Sequence, residues 1–184
     1  MRWKALFDDL EAQAEALARG ELDAEVRDRV RRETSLLRLS DRLAAAVGAP
    51  LALQVAGAGV LHARLVDSGV DWLLVEETGG REVLVPALAL LSLSGVGPRA
   101  QAPGSEGEVG KRLDLRWALR GLARDRAGLA LVLRDGSTLG GTLDRVGVDF
   151  VELAEHGTGE ARRTTAVLGL RLVPLEALSL LRRV

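Results

Sequence analysis

The stretch Leu129–Glu155, LALVLRDGSTLGGTLDRVGVDFVELAE, has a partner upstream in Leu51–Glu77, LALQVAGAGVLHARLVDSGVDWLLVEE. The two align over 27 positions without a gap, at an offset of 78, with nine identities that include Gly-Val-Asp at 69–71 and 147–149. Self-similarity at a fixed spacing means that one supersecondary unit is used twice. Each copy alternates apolar and polar residues at period two, as a half-buried strand does. In the second copy Leu129, Leu131 and Leu133 form one run, Asp135-Gly136 turns the chain, and Leu139, Gly141 and Leu143 continue beyond it. Asp-Gly suits a tight hairpin because both residues tolerate positive φ. A third run follows Gly147, and the first copy holds Leu51, Leu53, Val55, then Leu61, Ala63, Leu65, then Val70, Trp72, Leu74 in the same places.

The ending is duplicated as well. Val85-Pro86-Ala87-Leu88-Ala89-Leu90 matches Val173-Pro174-Leu175-Glu176-Ala177-Leu178 at an offset of 88, so the second copy carries ten extra residues before its proline. Proline cannot donate to a strand ladder, so one strand stops there, and a single helical turn into a last short strand is the simplest continuation. Helical patterns at Glu33–Val47 and Lys111–Arg126 precede the copies. The predicted unit is a helix followed by five short bent strands, and the fold class is α+β: two tandem small β-barrels.

The pattern LxLxxGxxLxGxL…FVxL…VPxxALxxL, as it stands in Leu131–Leu181, resembles the Sm-like fold of Hfq and LSm proteins, with Gly136 and Gly141 on that family's glycines. The resemblance implies a helix and a five-stranded bent barrel per unit, assembly through edge strands, and RNA as a ligand. The chain departs from the pattern in two places. The segment after the fourth strand, which contacts RNA in that family, is replaced by Val85-Pro86 and Val173-Pro174, and Ala58 and Ala63 stand at the two glycine sites of the first copy.

The rest of the chain frames these units. Residues 1–48 read as an N-terminal helical hairpin. Trp3, Leu6, Phe7, Leu10, Ala14 and Leu17 share one face, Gly20 ends the first helix, and a second from Glu21 to Val47 carries Leu22, Val26, Val30, Leu36 or Leu37, Leu43 and Val47. Packing on the first barrel is the expected role, with coiled-coil dimerisation as the alternative. The first barrel spans 49–95, a Gly/Pro-rich linker 96–110, and the second helix and barrel 111–184. Leu43–Leu61 is 19 residues without a charge, but Gly48-Ala49-Pro50 interrupts it, so a helix end, a turn and a buried strand explain it better than a membrane span. MRWKALFDDLEAQ lacks the apolar core of a secretory signal, which makes the cytoplasm the expected compartment.

Composition narrows the chemistry. Without cysteine there is no disulfide, thiolate metal site or thiol nucleophile. The net charge of −1 gives no global attraction to polyanions. There are 11 basic and 15 acidic residues in 1–97 and 14 and 11 in 98–184, or −4 against +3, which places any polyanion site in the second half. Arginine richness is discounted as a nucleic-acid signal: Ile, Asn and Tyr are absent, only two lysines occur, and all four types have AT-rich codons. GSEGEVGK before Arg112 misses a phosphate loop at its first glycine (Ser105) and at its final Ser/Thr. Gly57-Ala58-Gly59 fails as a dinucleotide fingerprint because His62 replaces the third glycine. His62 and His156 have no companions at metal spacing and read as solvated side chains. Asp71 and Asp149 read as turn residues whose carboxylates accept nearby backbone N–H groups, and Trp72 and Phe150 as core.

One constellation stands out, the helix KRLDLRWALRGLARDR. Leu115, Ala118, Leu119 and Leu122 form its buried stripe, while Arg112, Arg116, Arg120 and Arg124 form another face, flanked by Trp117. Such a face can contact phosphates by charge and a base by stacking; alternatively the arginines pair with acids of the first unit and Trp117 packs between barrels. The expectation is therefore a non-catalytic interaction module, acting on protein partners or by self-association through barrel edges. No cofactor, metal, catalytic group, small-molecule substrate or membrane is expected, and RNA binding through 111–126 and the second barrel is the rival.

Overall fold

The computed structural model describes residues 2–102, 113–157 and 168–184. Residues 1–37 and 38–184 form separate compact units. The first is a single helix, α1 (Arg2–Leu36). The helical hairpin expected over 1–48 is not formed, because α1 runs through Gly20 without a break. An isolated glycine costs a helix about 1 kcal/mol but does not stop it unless the backbone turns left-handed there, and Gly20 is not among the positive-φ glycines. Charged pairs such as Arg19–Glu15 and Arg29–Glu33 line the exposed surface.

The second unit begins with a short helix α2 (Leu39–Ala44), which stops before the expected Val47. Then follow β1 (Pro50–Val55), β2 (Gly59–Ser68), β3 (Trp72–Glu77), β4 (Arg81–Pro86), a 3-10 turn at Ala87–Ala89 and β5 (Leu90–Ser94). The second copy repeats this order with α3 (Leu115–Arg124), β6 (Gly128–Leu133), β7 (Thr138–Val146), β8 (Phe150–Glu155), β9 (Gly169–Pro174), a 3-10 turn at Leu175–Ala177 and β10 (Leu178–Arg183). Both prolines thus end a strand where the sequence places them. The ten extra residues of the second copy, and the linker from residue 103 with Lys111 and Arg112, lie outside the described residues.

The duplication extends to irregularities. The β2–β3 ladder slips between Leu65 and Asp67, and the β7–β8 ladder slips at the equivalent Leu143 and Arg145. A bulge at the same place bends both sheets alike. Ala87 N–H donates to the Asp71 carbonyl as Leu175 N–H does to that of Asp149. Each copy has its strands in the order fifth, first, second, third, fourth.

Two closed barrels do not result. Among the described residues ten strands join one open antiparallel sheet, ordered β5-β1-β2-β3-β4-β10-β6-β7-β8-β9. The physical reason is that β4 pairs with β10, the last strand of the other copy, so the second copy extends the first while β5 and β9 are left as the outer edges. The cores are shared accordingly. Val132 and Leu180 of the second copy pack with Leu53, Leu65 and Val83 of the first. Trp72 and Leu84 of the first pack with Leu119, Leu131 and Leu153 of the second. No helix among the described residues is long and apolar enough to cross a membrane.

Candidate functional site

The seam between the copies defines the chemistry of the sheet edges. Along it Leu181 pairs with Leu84 and Arg182 with Val83. Val83 and Val85 point into the first core, so Leu84, one residue out of phase, points into the second. The Trp72 ring enters the second core as well, and its Nε1–H donates to the Leu113 carbonyl at 2.8 Å. Asp71 Oδ1 accepts from the Leu115 N–H at 2.7 Å, at the first residue of α3, while Asp114 caps the same helix through the Trp117 N–H at 2.8 Å. Asp71 therefore takes a backbone N–H as expected, but one in the other copy rather than a near neighbour. Desolvation against the helix end raises its carboxyl above the ordinary value, with the Leu115 N–H pulling the other way, although the residue as a whole stays exposed. Desolvation also acts on Asp114, but there the Arg116 and Trp117 hydrogen bonds and the charges of Arg116 and Arg120 prevail and lower it.

Further along the seam Arg182 Nη2 reaches Glu77 Oε1 at 2.9 Å, and the two hairpin tips meet. A Cβ at Gly57 would lie 2.2 Å from the Leu133 carbonyl oxygen, so only glycine allows this approach. At the second tip the Ser137 hydroxyl and N–H hold the Asp135 carboxyl below its ordinary value, and Gly136 takes the positive φ the turn needs.

The outer edges of the sheet are β9 and β5, and they differ. On β9 and the residue before it Leu168, Leu170 and Leu172 are 81%, 61% and 61% exposed. They alternate along the strand and so share one face. Leu172 is the repeat equivalent of Leu84, which is only 6% exposed. Between these leucines Arg171 pairs with Glu155 at 2.8 Å. On the other edge Leu88 and Leu91 are exposed. There, however, Gln54, Ser92 and Ser94 stand where the internal seam has Val132, Leu180 and Arg182. The alternation Leu168-Leu170-Leu172 is visible in the sequence, but nothing in the sequence marks that strand as an edge.

The residues singled out on the basic helix are partly dispersed. Arg112 lies outside the described residues. Arg116 is held by Asp114 at 2.6 Å and not by an acid of the first copy. Trp117 is 53% exposed rather than packed between units, and Arg120 and Arg124 share its exposed side at helical spacing. Leu115 and Leu119 form the buried stripe as read. His62 is exposed, but His156 corrects the expectation of a solvated side chain. It is 3% exposed, its Nε2 lies 2.8 Å from Thr142 Oγ1, and its Nδ1 lies 3.1 Å from the Gly157 carbonyl. Phe150 is only half-buried, lying against Gly147, where Trp72 is core.

A cleft of about 560 Å³ over β1, β2 and β3 is lined by His62, Arg64, Glu76 and Glu77 among others. Among the described residues no group of three His, Cys, Asp or Glu side chains is placed to hold a metal ion. Compared with models of protein families and with curated proteins, the chain matches none of them.

Proposed function

We propose that the chain is a non-catalytic interaction module, two Sm-like units in tandem, that takes further strands onto its open sheet edges from a protein partner or from a second copy. The contrast between Leu84 and Leu172 carries this reading. The two leucines occupy one position of one repeated motif, yet one is 6% exposed and the other 61%. What separates them is the strand added beside β4 and the core it brings. A strand end of a sheet offers a row of unpaired backbone N–H and C=O groups, and edges that stay free are blunted by charge or proline. The β9 edge carries three exposed leucines on one face, with Arg171 paired to Glu155 between them and Pro174 at the strand end. Light scattering and affinity capture with the native chain and with Leu172→Lys test the reading. Loss of assembly or of captured protein in the variant, with the circular dichroism unchanged, is the expected result. Identical mass and identical captured proteins for both chains would refute it.

A second reading, contact with single-stranded RNA, is favoured by one observation: the exposed Trp117 beside Arg120 and Arg124. Its signature is a log–log salt dependence whose slope falls by about one on Arg120→Ala, and no binding at low salt removes it.

A further inference from the structure

We infer that the β9 edge is closed by β9 of a second copy, antiparallel about a twofold axis through Leu170, so that the sheet continues across two chains. This rests on the reading that the edges take up strands, and it adds which strand, in which register.

Two strands of this protein can cover the leucines of β9: the β5 edge of another chain, or β9 of another chain. Head-to-tail addition of β5 would repeat the internal seam, and the residues oppose it at two points. First, the seam buries Val132 and Leu180 in the neighbouring core, and their equivalents on the β5 edge are Gln54 and Ser92. Burying these amide and hydroxyl groups without partners is unfavourable. Second, the seam needs Gly57 at the hairpin tip, where a Cβ would stand 2.2 Å from a carbonyl oxygen. In a head-to-tail contact that place falls to Asp135, whose side chain cannot be accommodated there.

The surface that complements an alternating row of leucines is the same row. Antiparallel pairing centred on Leu170 sets Leu170 against its own copy and Leu168 against Leu172 of the second chain, twice over. All six leucines then lie on one face. Arg171 falls opposite Gly169, and its charge is already answered by Glu155 at 2.8 Å on its own sheet. The next register, centred on Arg171, places two arginines directly opposite each other, which is destabilising. A twofold contact of this kind is self-complementary and stops at two chains.

The chain has no cysteine, which allows a direct test. Leu170→Cys in the full-length chain, oxidised at micromolar concentration, is expected to give a covalent dimer, since paired antiparallel strands bring opposed Cβ atoms within disulfide range. Leu93→Cys treated alike is expected to remain single. Leu170→Lys is expected to raise the dimer dissociation constant at least about tenfold by opposing like charges on the axis, with unchanged circular dichroism. A crosslink between Leu93→Cys and Leu172→Cys in a mixture, without self-crosslinking of Leu170→Cys, would overturn the twofold pairing and leave the edge reading standing. A native dimer unaffected by Leu170→Lys would overturn the pairing too. Strict monomers of the native chain at every concentration would overturn this inference whatever foreign protein the edge takes.

Discussion

Leu84→Ala and Leu172→Ala remove the same atoms from the same position of the two repeats, and the structure assigns them different costs. Fully burying a leucine contributes about 1.5–3 kcal/mol, and truncating it in a core adds a cavity term, so core Leu→Ala changes cost about 2–5 kcal/mol. Leu84 is 6% exposed within the second core, next to Trp72 and Leu181, so about 3 kcal/mol is expected. Leu172 is 61% exposed and keeps roughly four-tenths of its burial, which puts its truncation at about 1 kcal/mol or less. For a chain of this length each kcal/mol moves the melting temperature by about 2–4 °C. Urea unfolding followed by far-ultraviolet circular dichroism, at protein concentrations below those at which chains associate, measures both. At higher concentration Leu172→Ala gains a second effect, weaker association, which Leu84→Ala lacks. Equal costs for the two substitutions in dilute solution would refute the claim that the β4–β10 seam distinguishes the repeats.

Two further outcomes follow from the seam. Gly57→Ala is expected to cost about 2 kcal/mol or more, because it adds a left-handed penalty at φ +68 to a clash with the Leu133 carbonyl, whereas Gly59→Ala at φ +76 meets nothing within 4 Å and costs about 1–2 kcal/mol; thermal melts showing Gly59 the more sensitive would contradict the hairpin contact. The pH dependence is set by two carboxyls of opposite sign. Asp71 has a raised pKa in the folded chain, so the stability it contributes is present in acid and is lost as pH rises from the ordinary 3.8 through the raised value. Asp114 is lowered, so its contribution is present above 3.8 and is lost as pH falls through the lowered value. Asp71→Asn keeps an oxygen for the Leu115 N–H without the ionisation. The stability advantage of the native chain over Asp71→Asn is therefore expected to shrink as pH rises towards neutrality, and a constant difference in denaturant midpoints across that range would refute it.

Much of each repeat was legible because its signals are local. Asp135-Gly136 specifies a turn, Pro86 and Pro174 stop strands, and Leu115 and Leu119 at helical spacing mark the face that α3 buries. The features that were not legible depend on what lies across from a residue. In α1 the stripes Trp3-Phe7-Leu10-Leu17 and Leu22-Val26-Val30 lie roughly 140° apart at 100° per residue. They can face each other only if the chain folds back at Gly20, and one glycine does not supply that turn. His156 follows the same logic. Its equivalent is Thr78, and the cross-strand position of Thr142 is held in the first repeat by Arg64. Arg64 and Thr78 stay exposed, while Thr142 and His156 are buried against each other. The change is paired across two strands, so neither residue alone reveals it.

The edges present the hardest case, since Val85-Pro86 and Val173-Pro174 announce the same strand in the same words. The difference lies two residues before Leu84 and Leu172. In β4 the first two residues, Arg81 and Glu82, stay in water just before the seam, which pairs Val83 and Leu84. In β9 the matching places hold Gly169 and Leu170. A strand that is to remain an edge is protected by a charge at such a site, and here the charge has been exchanged for a leucine in line with two others. The first repeat has its partner within the chain and can leave Glu82 in solvent. Among the described residues no strand lies beyond β9 in the second, and its leucines are the residues that a further strand would cover.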